Sequence, residues 1–263
     1  MINTELAPTK CIRVFKMTIR KILQSVCALG LIGIFAGHAN ANLLTNASFE
    51  TPDASGGDVY GSPDWTVFNN VFTNNFNWQP GGGFTGPVAH TGEQTLKMFD
   101  TDGQTSFAFQ SVPVTAGQTY QLSAWVINWA GDPFLNLGLM GLTFWDGADG
   151  SAGGANNMLG PAYDVYVEST PDPVFMPSSV YLPEAFSGEF GDGWIQLTVQ
   201  GIAPAGAVSA SAFFQTICVP GSPSCSGALY WDSASLELVP VPAAVWLFGS
   251  ALGLLGWLKR RPA

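Results

Sequence analysis

The chain is 263 residues long and has 19 Asp and Glu residues against nine Lys and Arg, a formal net charge of −10. Eight of the nine basic residues lie near the two ends, so the stretch from Asn42 to Leu238 holds 18 carboxylates and one lysine, a formal charge of −17. This charge excludes binding to nucleic acid or to anionic lipid surfaces, since both depend on basic residues that contact phosphate.

The first 41 residues have the composition of a secretory signal peptide. Five basic residues within the first 21 precede an apolar run over 22–37, and Ala39-Asn40-Ala41 supplies the small-x-small pattern of a cleavage site. Signal peptidase is expected to cut after Ala41 and to leave Asn42 as the mature N-terminus. Met17 is an alternative start, because it would give a basic region of more usual length.

The 197 residues from Asn42 to Leu238 fit one all-β domain. Short runs alternate apolar and polar residues between clusters of Gly, Pro, Asn and Asp, which is typical of a β-sandwich or barrel. The Gly-, Pro- and Ser-rich stretch near 146–190 is interpreted as an inserted loop region. The predicted strands are Ser106–Val112, Tyr120–Asn128, Leu137–Trp145, Trp194–Gln200, Ser209–Thr216 and Ala228–Leu238.

Two cysteines of the domain lie close together in the sequence. Cys218 and Cys225 bracket the turn-rich segment VPGSPS, and an exported domain matures in an oxidising compartment, which predicts a local disulfide. A metal site is the alternative. It would need further Cys or His ligands, and the stretch from Asn42 to Leu238 has only His90.

The last 25 residues, Val239–Ala263, have the features of a membrane signal. The apolar run Ala243–Leu258 has 16 residues, and a helix that spans a bilayer needs roughly 20. The basic cluster after this run is expected to remain on the cytoplasmic side. One interpretation is a simple C-terminal anchor. The motif before the run and the cluster after it consist of Val239, Pro240, Val241, Pro242, Ala243 and of Lys259, Arg260, Arg261.

This order of motif, apolar helix and basic cluster resembles the PEP-CTERM sorting tails of exported bacterial proteins, in their VPxPA-type variant. The resemblance implies recognition by a membrane-embedded exosortase after transient anchoring in the inner membrane. Val239 stands where the commonest motif has Glu, which leaves the exosortase subtype open. The expected partners during export are signal peptidase and an exosortase. The expected destination is the cell envelope, its outer surface or the extracellular matrix.

Seven segments between Asn42 and Leu238 resemble, in the same order, the strands of carbohydrate-binding-module-like jelly rolls of the galactose-binding type. The resemblance implies a two-sheet antiparallel β-sandwich, which the strand spacing also favours. We expect this jelly roll to be flanked by an N-terminal signal helix and a C-terminal transmembrane sorting helix. The segments are Asn42–Glu50, Pro63–Val67, His90–Lys97, Val112–Val126, Gly193–Thr198, Ala203–Gly206 and Tyr230–Glu237.

The resemblance also implies one structural metal ion between the first and last strands. Carried over by position, Glu50 and Asp232 would be carboxylate ligands, helped by backbone carbonyls, and oxygen donors in a strongly acidic chain favour calcium. Two surface carboxylates near strand ends are the alternative. A second acidic cluster, Asp100-Thr101-Asp102-Gly103, is interpreted as an Asp-Gly turn.

Aromatic residues suggest a glycan as the ligand, because sugars bury their C–H faces on flat rings while amides and carboxylates bind their hydroxyls. The stretch 68–84 mixes aromatic and Asn residues where the resemblance implies binding loops. A β-sandwich core also needs aromatic residues, and Trp125, Trp194 and Trp231 are assigned to it. The candidate ligand-binding residues are Trp65, Phe76, Trp78 and Trp129.

No motif selects a catalytic pair among the carboxylates, although Glu168, Glu184 and Glu189 are the least unsuitable. A serine nucleophile would need a base, and His90 is more easily explained as structural. The sequence thus predicts a non-catalytic glycan-binding module of the cell surface or exopolysaccharide. The alternatives are a structural surface or biofilm-matrix protein without a specific ligand, and a glycan-active hydrolase.

Overall fold

The computed structural model describes residues 41–55, 57–76, 78–79, 83–84, 86–100, 104–148, 156–171, 174, 176–185, 193–218, 225–240 and 250. The signal helix and nearly all of the sorting tail lie outside these residues, so both stay predictions. In the described part of the chain, no helix is long and apolar enough to cross a bilayer.

The described ranges form β-strands joined by turns and loops. The strands are β1 Val59–Tyr60, β2 Thr66–Phe68, β3 Val71–Asn75, β4 Trp78–Gln79, β5 Gly83–Phe84, β6 Gln94–Phe99, β7 Ser106–Pro113, β8 Thr119–Trp129, β9 Leu137–Trp145, β10 Tyr163–Glu168, β11 Val180–Tyr181, β12 Glu184–Ala185, β13 Ile195–Ile202, β14 Ser209–Ile217 and β15 Ala228–Leu238. In β7 and β13, residues that are buried alternate with residues that are not. This alternation buries one face of each strand, as the sequence pattern predicts.

Two sheets make up the sandwich. Sheet A has the order β1-β3-β6-β15-β8, with β12 and β13 both paired to β8, and sheet B has the order β11-β10-β9-β14-β7-β2. From β6 to β9, and again from β13 to β15, each strand lies in the sheet opposite the preceding strand. This crossing between sheets is the jelly-roll pattern. The short strands β4 and β5 pair only with each other among the described residues.

The main core fills the space between the sheets. Trp231 of β15 and Phe214 of β14 are fully buried, and their ring centroids are 4.7 Å apart. Leu96, Leu122 and Phe144 are also fully inaccessible to solvent. Each such side chain contributes about 1.5–3 kcal/mol to folding, so the inward faces of both sheets hold the sandwich together.

The prediction of wholly antiparallel sheets is wrong for two short strands. β11 runs parallel to β10, and β12 runs parallel to β8. A parallel pair cannot be closed by a tight hairpin, and the connection 169–179 supplies the reversal that β11 requires. The stretch 146–190 is therefore more than a loop, because it contains β10, whose six residues all pair with β9.

The region 68–84 also differs from the expected binding loop. Val71–Asn75 forms β3, whose five residues pair with β6, because Val71 and Thr73 face the interior. Its polar composition hid the strand. Further along the chain, directly after β14, Cys218 is joined to Cys225 by a disulfide with the Cα atoms 5.4 Å apart.

Candidate ligand-binding face

The outer face of sheet A carries polar and aromatic side chains at positions that alternate with the core. In β6, Leu96 is buried between the sheets, whereas its neighbour Lys97 points to the opposite side and is half-buried. Lys97 lies opposite Phe72 of β3 and opposite Tyr230 of β15. The row Phe72–Lys97–Tyr230 therefore crosses the middle of this face.

Lys97 is held between two carboxylates. Its Nζ lies 3.2 Å from Asp58 Oδ2 and 3.8 Å from Asp132 Oδ2. Asp58 precedes β1 and Asp132 follows β8, so loops from two parts of the chain meet at one ammonium group. The Asn74 side-chain amide donates to Asp58 Oδ1, and the Tyr230 hydroxyl donates to Asp132 Oδ2 at 3.4 Å. These five residues are called the Lys97 cluster.

The two carboxylates differ in how tightly they are held. Asp58 uses one oxygen for Lys97 and the other for Asn74. The distances from Asp132 to Lys97 and to Tyr230 are both long for hydrogen bonds, and the Asp132 side chain is 38% exposed. A carboxylate has about four acceptor positions, so Asp132 keeps acceptor capacity toward solvent.

Aromatic rings lie beside the Lys97 cluster on the same face. The Tyr60 and Phe72 rings meet edge to face at 5.6 Å, and the Phe72 and Phe99 rings stack at 5.6 Å with a 9° interplanar angle. Lys97 Nζ is 5.7 Å from the Phe99 centroid and 5.8 Å from that of Tyr230. These distances are within the range of cation–π attraction. Tyr60 is 59% exposed, so the ring surface extends into solvent.

Electrostatics keep the hydroxyl of the cluster protonated. Burial raises the pKa of Tyr230 above its usual range, and the negative charges of Asp132 and Asp58 act in the same direction. The Tyr230 hydroxyl is therefore a fixed donor at any physiological pH. With two carboxylates and one ammonium, the Lys97 cluster carries a formal charge of −1 and presents donors and acceptors within a few ångströms of each other.

β3 extends the same face toward a pocket of about 280 Å³. Phe76 follows Asn74 by two positions, is half-buried, and forms part of the pocket wall. On the opposite wall, the backbone of Gly92 touches the Glu50 carboxylate so closely that a Cβ would not fit. The lining residues are Asn75, Phe76, Val88, Ala89, Gly92 and Glu93.

Glu50 and Asp232, the predicted metal ligands, both bind the loop that precedes β6. The Glu50 carboxylate accepts hydrogen bonds from the backbone N–H groups of Glu93 at 3.0 Å and Gln94 at 3.2 Å. Asp232 Oδ2 accepts one from the backbone N–H of Thr91 at 2.9 Å. The structure therefore brings the two predicted ligands to one loop.

The charge of these two carboxylates is not balanced by a basic side chain among the described residues. Asp232 is fully buried, and this burial raises the pKa of its carboxyl to about 7, with Glu50 adding to the rise. In the ranges that the structure describes, no group of three or more His, Cys, Asp and Glu residues gathers around a common point. Any metal ion held here would need backbone carbonyls in addition to the two carboxylates.

Two of the four predicted ligand-binding residues are placed in packing positions instead. Trp65 is only 6% exposed and lies between Phe49 at 5.2 Å and Phe214 at 5.5 Å, inside the sandwich. Trp129 is 8% exposed, with its ring edge-on to Tyr230 at 6.0 Å. Contrary to the prediction, neither ring has a free face on which a sugar could stack.

The other two predicted ligand-binding residues keep that status as predictions. Phe76 lies in the pocket wall, where a ligand could reach it. The side chain of Trp78 lies outside the described part of the chain, although its backbone belongs to β4.

The carboxylates considered for catalysis occupy unlike positions. Glu168 is 1% exposed and binds the loop after β10, accepting hydrogen bonds from the Val174 and Met176 backbone N–H groups and from the Ser179 hydroxyl, all at 2.8–2.9 Å. This binding explains its place in the fold without any reaction. Glu184 is exposed on β12, and position 189 lies outside the described residues.

His90 has a packing environment. Its ring stacks on Trp125 with the centroids 4.0 Å apart, and its Nδ1 lies 3.2 Å from Ser233 Oγ. Burial lowers the pKa of His90 below its usual value. These contacts fit the structural role that the sequence suggests.

Three residues of the outer face escaped the sequence analysis, namely Asp58, Asp132 and Tyr60. Each comes from a loop or a two-residue strand with no motif of its own. The one available signal was Lys97, the sole basic residue of the domain, since a lone lysine in so acidic a stretch is expected to have carboxylate partners.

Comparison with known proteins adds the fold but no family. No family model matches the sequence, and no curated protein does. Among solved structures, a Stig cyclase of Fischerella sp. TAU aligns with a TM-score of 0.50 at 13% identity, over 77% of this chain and 100% of the cyclase. An alignment at this identity shows a shared fold alone.

Carbohydrate-binding modules and a phage protein also align. A family 61 module solved with β-1,4-galactotriose gives a TM-score of 0.43 at 16% identity, over 76% of this chain and 99% of the module. The CBM22-1 xylan-binding domain of Paenibacillus barcinonensis Xyn10C gives 0.39 at 16% identity, over 78% and 99%. The enzymatically active domain of bacteriophage CBA120 tailspike protein 4 gives 0.45 at 14% identity, but this chain covers only 21% of it.

Proposed function

We propose that the domain is a non-catalytic glycan-binding module and that the outer face of sheet A holds the glycan. The observation that carries the proposal is the Lys97 cluster, set directly beside the rings of Tyr60, Phe72 and Phe99. A sugar has apolar C–H faces and a belt of hydroxyls, so it needs rings and paired donors and acceptors on one surface.

The charge of the domain narrows the glycan class. A body with a formal charge of −17 repels uronic-acid and sulfated polymers, whereas a neutral polysaccharide meets no such barrier. In this proposal the less tightly held carboxylate, Asp132, accepts hydrogen bonds from sugar hydroxyls while Lys97 donates to them. The exposed Tyr60 ring packs against a C–H face.

The proposal extends to where the module acts. The signal-peptide pattern before Asn42 and the PEP-CTERM-like tail after Leu238 support export through signal peptidase and an exosortase-type system. We infer a location at the cell surface or within exopolysaccharide, where a neutral glycan would be the natural partner.

A structural calcium ion forms a separate part of the proposal. Glu50 and Asp232 offer hard oxygen donors, and no basic side chain of the described residues balances their charge. Both features fit a calcium ion, which prefers carboxylate and carbonyl oxygens. The ion would tie the loop after Phe49 to β15 and to the loop before β6.

The glycan proposal is tested by arraying the purified full chain on immobilised neutral and acidic glycans. We expect retention on a neutral glycan and, for Asp132→Asn, a loss of affinity of about tenfold, because one charged acceptor is removed while the Lys97–Asp58 pair stays. Asp64→Asn is the matched control, since Asp64 is exposed and its positive φ of 69° suits Asn.

The outcomes separate the candidate functions. A folded chain that binds no glycan would contradict the proposal and favour a structural surface protein without a ligand. Equal losses in Asp132→Asn and Asp64→Asn would mean that binding does not use the Lys97 cluster. Release of soluble sugar from the array would instead identify a hydrolase.

A further inference from the structure

The outer face of sheet B carries an aromatic patch of a different kind. Phe68 of β2, Phe107 and Phe109 of β7, and Phe213 of β14 are in mutual contact, with neighbouring centroids 5.5–6.5 Å apart. Phe68 is 53% exposed. These four rings are called the Phe patch.

The strands beneath the Phe patch hold no charge. β2, β7, β14 and β9 are adjacent in sheet B, and none of their 29 residues is Asp, Glu, Lys or Arg. Along the row through Phe109 and Phe213, the first carboxylate is Asp164 of β10, beyond Gly141. Gly141 leaves the space in which the Phe213 ring lies flat on the sheet.

The chemistry of this surface does not suit a glycan. Phenylalanine has no polar group to bind a hydroxyl, and the nearest hydroxyls, on Ser111 and Ser211, are hydrogen-bonded to each other at 2.9 Å. An uncharged aromatic patch with little polar content is typical of the centre of an interface between proteins, particularly of homodimers.

We propose that the Phe patch joins two copies of this chain, face to face. Two bodies of charge −17 repel each other in most orientations, and the patch is a surface through which they can meet without opposing carboxylates. A two-fold axis through the patch brings identical uncharged surfaces together, so the chemical match is automatic. The Lys97 cluster, on the other sheet, then remains open in both copies.

The test is sedimentation velocity of the purified full chain over a range of concentrations. We expect reversible dimers whose dissociation constant rises about 100-fold in Phe68→Ser, because each dimer loses two buried rings. Added salt is expected to strengthen wild-type dimerisation, since it screens repulsion between the acidic bodies. Tyr60→Ser is the control, because Tyr60 is an equally exposed ring on sheet A.

Three results would overturn the inference: a wild-type chain that stays monomeric at every concentration, a dimer that Phe68→Ser leaves intact, or a dimer that Tyr60→Ser weakens as strongly. The glycan proposal is independent of these outcomes. Glycan retention of Phe68→Ser, measured on the same array, reports on sheet A alone.

Discussion

The outer faces of sheets A and B share an architecture and differ in chemistry. Each presents a group of aromatic rings with one strongly exposed member, Tyr60 on sheet A and Phe68 on sheet B. On sheet A the rings surround an ammonium and two carboxylates, whereas four adjacent strands of sheet B hold no charge.

This difference teaches that aromatic content alone does not indicate what a β-sandwich face binds. Rings with interleaved donors and acceptors fit a hydroxyl-rich ligand, while rings without them fit another apolar surface. The fold supplies two flat surfaces of similar size, and the few polar residues on each decide between the two kinds of partner.

The largest expected effect removes a residue that supports both faces. Trp65→Ala empties a site between the sheets and should lower the free energy of unfolding by about 3–5 kcal/mol, as measured by urea titration. Both glycan retention and dimerisation should then fall together as the unfolded fraction grows. A variant of wild-type stability that loses only glycan retention would restore Trp65 as a sugar contact.

Calcium removal is expected to act on the sheet A side. Chelation by EDTA should lower the melting temperature of the wild-type chain by about 5–10 °C, since the ion binds the folded state alone. Glu50→Gln should make the melting temperature insensitive to EDTA. An unchanged wild-type melting temperature after chelation would exclude a stabilising ion at Glu50 and Asp232.

Replacing the lysine of the cluster should separate the two faces. Lys97→Met leaves Asp58 and Asp132 without their cation and should cost about 2 kcal/mol in the free energy of unfolding, because the three side chains are mostly shielded from solvent. Glycan retention should be lost while dimerisation persists. Retained glycan binding in folded Lys97→Met would show that the ligand lies elsewhere.

The smallest effect concerns pH and should leave both faces unchanged. Burial raises the pKa of Asp100, whose Oδ1 accepts hydrogen bonds from Ser106 and Thr216. The folded state therefore holds this proton more tightly than the unfolded chain, so its contribution is present below about pH 4 and is lost as pH rises through the folded-state pKa. Relative to wild type, Asp100→Asn should gain stability from pH 4 to pH 7 in urea titrations. A constant difference between the two would contradict this assignment.

The strands were largely predictable because their alternation is strong. Leu137–Trp145 and Ala228–Leu238 have the predicted bounds, and β8 extends the prediction by one residue at each end. β3 was missed because its polar residues Asn74 and Asn75 are buried, against the usual rule. β10 was missed because Gly- and Pro-rich segments surround it.

The site was less predictable than the fold. Asp58, Lys97 and Asp132 are separated by 39 and 35 residues, and only the pairing of β3, β6, β15 and β8 brings their segments together. Trp65 was misassigned because a tryptophan that packs between sheets and one that holds a sugar have the same local pattern. Burial separates the two, and burial is a property of the folded chain.

The division of roles between the faces is tested most directly by a crossed measurement on the purified full chain. Tyr60→Ser and Phe68→Ser are each assayed for glycan affinity and for dimer dissociation. We predict that Tyr60→Ser weakens glycan binding about tenfold and leaves the dimer intact, and that Phe68→Ser does the reverse. If both variants weaken the same property, or neither weakens any, the two faces do not have the separate partners proposed for them.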